Sequence, residues 1–196
     1  MAKSDPSAAK KERNKTIRWV IIIFFVTILI SGIISLLSDE IMSRSGMVVA
    51  FLILLFIVLI DIFFDILGVA VTSADEKPFH SMAARKVAGA QEAIRLLRNA
   101  ERVSSICNDV IGDICGVVSG SASATISAQI LAKFEFSWTT VVPLVMSALV
   151  AGLTVGGKAV GKTFAMNSCT VIVHTAGKLI HFLRHVPELF RKKKQK

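Results

Sequence analysis

The stretch MVVAFLILLFIVLIDIFFDILGVAV, Met47–Val71, decides the fold of this chain. At 1.5 Å per residue it is long enough to cross a hydrocarbon core about 30 Å thick. Only Asp61 and Asp65 interrupt its apolar run. The stretch therefore predicts a transmembrane helix that carries two carboxylates inside the membrane.

Three other apolar segments indicate that the chain crosses the membrane four times. They are Ile17–Leu37 before this stretch, and Val103–Leu131 and Thr139–Gly157 after it. Hydrophobic residues make up 53% of the chain and charged residues 19%, and the mean hydropathy is +0.64. A typical soluble domain has about 25% charged residues. The sequence therefore predicts an all-α membrane protein.

The segments between these spans predict the domain organisation. Residues 1–16 are expected to be a disordered basic tail, and residues 17–46 a retained transmembrane helix followed by an outer loop. Residues 47–165 are expected to form the membrane core, with a juxtamembrane helix at 75–100. Residues 166–196 are expected to form an amphipathic helix and a basic tail. Both of these helices are expected to lie on the cytoplasmic face of the membrane.

The basic residues predict the orientation. Lysines and arginines crowd the first tail, the segment between the second and third spans, and the region after the fourth span. The other two loops carry only Arg44 and Lys133. The positive-inside rule then places both termini in the cytoplasm of a plasma-membrane protein.

The net charge of +9 is consistent with the same partner, the lipid bilayer. Basic residues that flank apolar runs suit an anionic inner leaflet. Nucleic acid is not an expected partner, because aromatic residues do not alternate with the basic runs. The three cysteines have no CxxC spacing and are expected to be reduced, small apolar residues.

Four carboxylates lie within the predicted spans and are candidate metal ligands. Asp61 and Asp65 share one helix face, as do Asp109 and Asp113, because each pair is spaced i, i+4. Four aspartates in a membrane cost on the order of 10 kcal/mol without partners. Antiparallel spans would bring the pairs to similar depth beside Asn108, in an oxygen-rich site suited to Mg²⁺.

Two other interpretations of these carboxylates remain open. They could pair with Lys158 and Lys162, or they could lie in the membrane interface, Asp109 most readily because it is nearest the start of its span.

Gly112, Gly116 and Gly120 form a small-xxx-small ladder that permits close helix packing. The ladder is a candidate dimer seam, and packing within one chain is the alternative.

Two other motifs carry less weight. His174, His181 and His185 share a helix face, but interfacial snorkelling explains them better than metal chelation, since no cysteine or carboxylate adjoins them in sequence. GGKAVGK at 156–162 lacks the spacing of a phosphate-binding loop.

Several stretches together resemble a known family. FFDILGVAVTS, then NAER, then IGD opening the third span, and GGKAVGK ending the fourth occur in order over about Met47 to Leu189. They resemble the DUF21 membrane domain of the CNNM/CorB/CorC magnesium-transport family. The SGxET signature and the Glu of GEIxPK, where this chain has Lys158, are absent. This chain also has an additional first helix and no nucleotide-binding CBS module.

The resemblance implies a homodimer that binds Mg²⁺ among polar side chains and carbonyls of the first two core helices. By position, the family's ligands fall on Asp65 and Asp113, with Gly112 contributing a carbonyl. Asp61, Asp109 and Asn108 complete the expected metal site.

The expected function is therefore transport or export of a divalent cation, Mg²⁺ above all, across the cytoplasmic membrane. The alternative is a non-transporting membrane adaptor or regulatory subunit that dimerises through the Gly-rich helix. An enzyme is not expected, because the chain lacks the DxxDGxxAR element of lipid-head-group phosphotransferases.

Overall fold

The computed structural model describes the backbone of residues 6–134 and 139–192, and the side chains of residues 17–42, 44–134 and 139–184. Within these ranges every regular element is helical. The elements are α1 (Pro6–Arg44), α2 (Met47–Ser73), α3 (Lys77–Ala84), α4 (Ala90–Arg98), α5 (Ala100–Ser105), a π-helical segment (Ile106–Ile111), α6 (Gly112–Phe134), α7 (Val141–Asn167) and α8 (Cys169–Lys192).

Four helical stretches are long and apolar enough to cross a membrane, as the sequence predicts. They are Ile17–Met42, Met47–Ser73, Ala100–Phe134 and Val141–Asn167. The third stretch joins α5, the π-helical segment and α6 into one continuous rod. The all-α class is therefore confirmed, and four helices have the length and apolar composition of the predicted spans.

The structure differs from the expectations for residues 1–46 in two places. Residues 6–16 continue the first membrane helix, whereas we expected a disordered tail; residues 1–5 lie outside the described range. Alanine, lysine, arginine and glutamate favour helix, and a helix that is already nucleated extends at little cost. The expected loop at Ser38–Gly46 is also mostly helix, because α1 runs to Arg44.

The juxtamembrane region is two helices, although one continuous helix was predicted for 75–100. The chain turns between α3 and α4, where Lys86 has φ 56° and Gly89 has φ 83°. Glycine adopts this left-handed conformation without the steric penalty that a Cβ brings. The turn lets α4 reverse direction and pack on α3.

Helix α2 is the centre of the bundle. It packs against α7 along its length, against α5, the π-helical segment and α6 of the third stretch, and against α8 near its C-terminal end, while α1 packs mainly on α6. Two clusters of buried apolar side chains lie at different levels. One cluster joins α1, α2 and α6, and the other joins α2, α3, α4, α7 and α8. The aspartates of α2 occupy the level between the two clusters.

Two glycines allow α7 to approach α2 closely. A Cβ at Gly157 would collide with Ile62, and a Cβ at Gly161 would lie 2.7 Å from Cγ1 of Ile66. The isoleucines of α2 therefore fit into the groove that these glycines leave on α7. This seam fixes the depth at which Lys158, which lies between the two glycines, meets α2.

A second close approach joins α4 to α8. A Cβ at Gly177 would collide with the carbonyl oxygen of Gly89 and would lie 3.0 Å from the amide nitrogen of Ala93. Beside this contact, Nδ1 of His181 lies 3.3 Å from Oε1 of Glu92. Burial raises the pKa of Glu92, but hydrogen bonds to its own backbone and to His181, with the positive charges of His181 and Arg95, bring it below its ordinary value.

We predict that Gly177→Ala destabilises the protein, because the added methyl group meets backbone atoms that cannot rotate away. Overpacking of this kind costs about 1–3 kcal/mol. Gly152→Ala on α7 is the matched control, since a Cβ there meets nothing within 4 Å. The midpoint of thermal unfolding in detergent should fall for Gly177→Ala alone. Equal midpoints for the two variants would contradict the packing described between α4 and α8.

Candidate functional site

The buried face of α2 carries a polar layer within the membrane span. Asp61 is 2% exposed and Asp65 is 6% exposed. They follow Ala50, Leu54 and Val58 on the same helix face, all of which are buried in the first apolar cluster. An ionised carboxylate is stable in such surroundings only with a cation or several hydrogen-bond donors nearby.

Lys158 supplies the cation for Asp61. Its Nζ lies 2.8 Å from Oδ1 of Asp61, and its side chain is 25% exposed. The same oxygen makes no hydrogen bond of good geometry, so charge attraction is the main interaction. Gly112 of α6 packs against this ion pair. A Cβ at Gly112 would lie 3.3 Å from the Asp61 oxygen and 3.7 Å from the Lys158 nitrogen.

The π-helical segment faces α2 one step further along. Asn108 lies near its middle, and its side chain occupies the space over Gly68, where a Cβ would collide with it. The Asn108 amide nitrogen donates to Oγ of Ser104 over 3.3 Å. A π-helix in a membrane span is rare and is often found at functional sites.

Two side-chain oxygens in this layer have no partner. Oδ2 of Asp65 and Oδ1 of Asn108 are buried and make no hydrogen bond to any described residue. Asp61 lies beside Gly112, and Gly68 lies beside Asn108. Asp65 is therefore at a level between these two contacts. Buried acceptors without partners are rare in folded proteins, so this layer is the candidate functional site.

The other two predicted carboxylates are placed differently. Asp113 is exposed on α6, and Asp109 is exposed and accepts a hydrogen bond from Oγ of Ser105 over 2.7 Å. Within the described ranges, no three His, Cys, Asp or Glu side chains are grouped to hold one metal ion. The expected convergence of four carboxylates is therefore not observed.

Asp109 and Asp113 do not join the α2 aspartates because each lies one residue after a position that faces α2. Asn108 and Gly112 face α2, and each is followed directly by one of these aspartates. The next residue on a helix points about 100° away. The i, i+4 spacing correctly places Asp109 and Asp113 on one face, but a neighbouring helix had to be placed before that face could be assigned.

The predicted glycine ladder is divided between two environments. Gly112 is buried against Asp61 and Lys158, within one chain. Gly116 and Gly120 are exposed, and a Cβ at either would meet nothing within 4 Å. Packing within one chain is therefore observed at Gly112 only, and the dimer seam stays a prediction for Gly116 and Gly120.

The histidines have a carboxylate neighbour that their own sequence surroundings did not reveal. Glu92 is distant in sequence from His181 but lies beside it in the fold. Nε2 of His174 is buried without a partner among the described residues, and the side chain of His185 lies outside the described part of the chain. Among the described side chains, no third His, Cys, Asp or Glu joins His181 and Glu92 to hold a metal.

The donor set of the polar layer suits a hard cation that keeps part of its hydration shell. Asp65 and Asn108 offer one carboxylate and one amide oxygen, and both oxygens need a partner. Mg²⁺ is commonly held by one or two carboxylates while it retains several waters. Lys158 pairs with Asp61, so a bound cation would serve as the counter-ion of Asp65.

No family model, no curated protein and no solved structure matches this chain. The resemblance to the DUF21 domain therefore stays a sequence-based hypothesis.

The sequence left Lys158 as a possible partner for the aspartates, but it did not show how α7 comes close enough to reach them. The signal is Gly157-xxx-Gly161, a small-xxx-small pair that encloses Lys158. GGKAVGK is thus a helix-packing seam that places a lysine against α2.

We predict that Lys158→Met strongly destabilises the protein, because it leaves Asp61 charged and unpaired in the membrane. Breaking a buried ion pair from one side costs about 3–5 kcal/mol. Adding Asp61→Asn to Lys158→Met should recover most of the loss, since the remaining pair carries no charge. Lys162→Met is the control, because Lys162 is exposed on the same helix. A double variant as unstable as Lys158→Met in thermal unfolding would contradict the ion pair.

Proposed function

We propose that this chain transports a hard cation across the cytoplasmic membrane, and that Asp65 and Asn108 bind the ion. The observation that carries the proposal is the pair of buried oxygens without partners, Oδ2 of Asp65 and Oδ1 of Asn108, within candidate membrane spans. A cation held between α2 and the third span would supply the partner that each oxygen lacks. Mg²⁺ is the first candidate, because the sequence resemblance implies it and the ligands are oxygen atoms.

The neighbouring ion pair determines how many carboxylates the site offers to a cation. Lys158 compensates Asp61, so the polar layer does not carry two uncompensated carboxylates. Asp65 remains as the one carboxylate without a counter-ion in the layer. This role differs from the arrangement expected from the sequence, in which Asp65 and Asp113 share the ion.

The orientation proposed from the sequence fits the same function. The N-terminus of α1, helices α3 to α5 and helix α8 belong to one end of the bundle, where most lysines and arginines are found. We call this the basic end. The positive-inside rule assigns it to the cytoplasm, and both termini with it. The cation site lies closer to this end, near the C-terminal half of α2.

The test is ion-dependent stabilisation of the full-length protein in mild detergent. Mg²⁺, Mn²⁺, Co²⁺ and Na⁺ are titrated against the midpoint of thermal unfolding. Asp65→Asn should remove the stabilisation by the preferred ion, since it deletes the ligand charge without changing the side-chain shape. Asn108→Ala should weaken it at least tenfold in apparent affinity, the effect of losing about 1.4 kcal/mol of binding.

Asp113→Asn is the matched control, because it makes the same change at an exposed position of α6. It should bind the ion as the wild type does. In proteoliposomes that contain a Mg²⁺-sensitive dye, Asp65→Asn should abolish ion flux and Asp113→Asn should retain it. If no ion stabilises the wild type, the function is wrong. If the two aspartate variants lose binding equally, the site is wrong.

A second candidate function is supported by a different observation. Small residues recur every fourth position along the exposed side of α6, which also carries Val117: Gly116, Gly120, Ala124 and Ala128. Small residues on a lipid-facing helix let another helix approach closely. This face would suit a homodimer, and in the adaptor hypothesis dimerisation would replace transport.

We predict that Gly116→Leu converts a dimer to a monomer, because the added side chain stands where the partner helix would pack. Gly32→Leu is the control, since a Cβ at Gly32 of α1 also meets nothing within 4 Å. The particle mass in mild detergent and in lipid nanodiscs is the measurement. A wild-type monomer in both would remove the homodimer, and with it the adaptor hypothesis.

A further inference from the structure

A cleft between α1 and the rest of the bundle forms a second candidate binding site, separate from the polar layer. Its volume is about 540 Å³, within the range of about 300–1,000 Å³ that is usual for small-molecule sites. Its walls come from α1, α2 and the third span, and almost all of the lining side chains are aliphatic. Such a lining can hold only an apolar molecule or the apolar part of one.

The cleft exists because α1 is attached to the bundle at one end only. Near its C-terminal end, Oγ of Ser121 donates to Oδ1 of Asp39 over 2.8 Å. The amide nitrogen of Gln129 donates to the carbonyl oxygen of Met42 over 2.9 Å. Met42 itself is fully buried, whereas most side chains from Ile17 to Leu37 are exposed or half-buried. Helix α1 therefore separates from the bundle towards its N-terminal half.

The length of the cleft matches a lipid tail. Its α1 wall extends from Trp19 to Ile34, which at 1.5 Å per residue is about 22 Å. One leaflet of the hydrocarbon core is about 15 Å thick. The cleft is therefore long enough to hold an acyl chain that extends across one leaflet.

Two arginines lie at the level where the lining of the cleft ends. Arg18 directly precedes the lining residue Trp19, and Arg102 lies four residues before the lining residue Ile106. Both arginines are exposed, and neither forms an ion pair with another described residue. Arginine binds phosphate with charge-assisted hydrogen bonds. Trp19, 36% exposed, provides the amphipathic ring common at headgroup level.

We propose that this cleft binds one anionic phospholipid, with an acyl chain between α1 and the third span and the phosphate at Arg18 and Arg102. Asp109, a carboxylate next to the lining residue Val110, accepts a hydrogen bond from Ser105 and so has a partner of its own. The proposal does not depend on the cation site. It gives the first helix a role that the transport site does not require.

The test compares two lipids with identical oleoyl chains, phosphatidylglycerol and phosphatidylcholine, added to the full-length protein in mild detergent. Native mass spectrometry counts bound lipids and gives apparent affinities. The wild type should bind one phosphatidylglycerol in preference to phosphatidylcholine. Arg18→Gln and Arg102→Gln should each weaken that preference about fivefold, and together roughly thirtyfold, as expected for basic residues at a membrane surface. Lys162→Gln, an exposed lysine on α7, should leave it unchanged.

A second pair of variants tests the cleft itself. Ile30→Trp fills it, because Ile30 lines the cleft, and should lower the affinity for both lipids. Leu29→Trp adds the same ring at the preceding position, which is 65% exposed and outside the lining. This variant should bind both lipids as the wild type does. The arginine variants lie at exposed positions, so their result does not depend on how well the core tolerates the tryptophan.

Three results would overturn the proposal. Equal affinity of the wild type for the two lipids would exclude recognition of the headgroup. Equal loss of lipid in Ile30→Trp and Leu29→Trp would mean that only annular lipid is bound. A change from dimer to monomer in Ile30→Trp, with no change in bound lipid, would show that a second copy of the chain occupies the cleft.

Discussion

The ion pair between Asp61 and Lys158 is the interaction on which the arrangement of the bundle depends. Each of these residues costs about 2.5–3.5 kcal/mol at the centre of a membrane helix when it has no partner. Their oppositely charged atoms lie 2.8 Å apart inside the bundle. That contact requires α7 at close range to α2, which Gly157 and Gly161 allow, and it requires Gly112 on α6, where a larger residue would crowd the pair. The pairing of these two charges therefore determines how α2, α6 and α7 pack together.

Beside this ion pair lie two side chains whose buried oxygens lack a partner among the described residues. Asp65 and Asn108 bury acceptor oxygens without partners, and Asn108 lies in a π-helical segment, where the regular hydrogen-bond pattern of the helix is altered. Local irregularities of this kind reduce stability, and proteins keep them mostly at functional sites. The contrast between a paired and an unpaired carboxylate on one helix face is the physical basis for assigning ion binding to Asp65.

The π-helical segment also links the two candidate sites. Asn108 lies over Gly68 of α2, whereas Ile106, Val110 and Ile111 line the cleft beside α1. One short segment therefore forms a wall of the polar layer and a wall of the apolar cleft. A molecule that separates or draws together α1 and the third span would act on the segment that carries a proposed cation ligand.

The sequence by itself determined the all-α class, the four apolar runs long enough to cross a membrane and the carboxylates within them, because long apolar runs and the spacing of charges within them are local properties. It could not determine which face of each helix meets a neighbour. Asp109 and Asp113 follow Asn108 and Gly112 by one residue, and that single step separates an exposed carboxylate from the buried layer. Only the tertiary structure could decide that Lys158 reaches Asp61, that the glycine ladder divides between two environments, and that α1 separates from the bundle. The reason is physical: these outcomes depend on the close approach of helices that are distant in the chain, and the glycines that permit such contacts do not specify their partners.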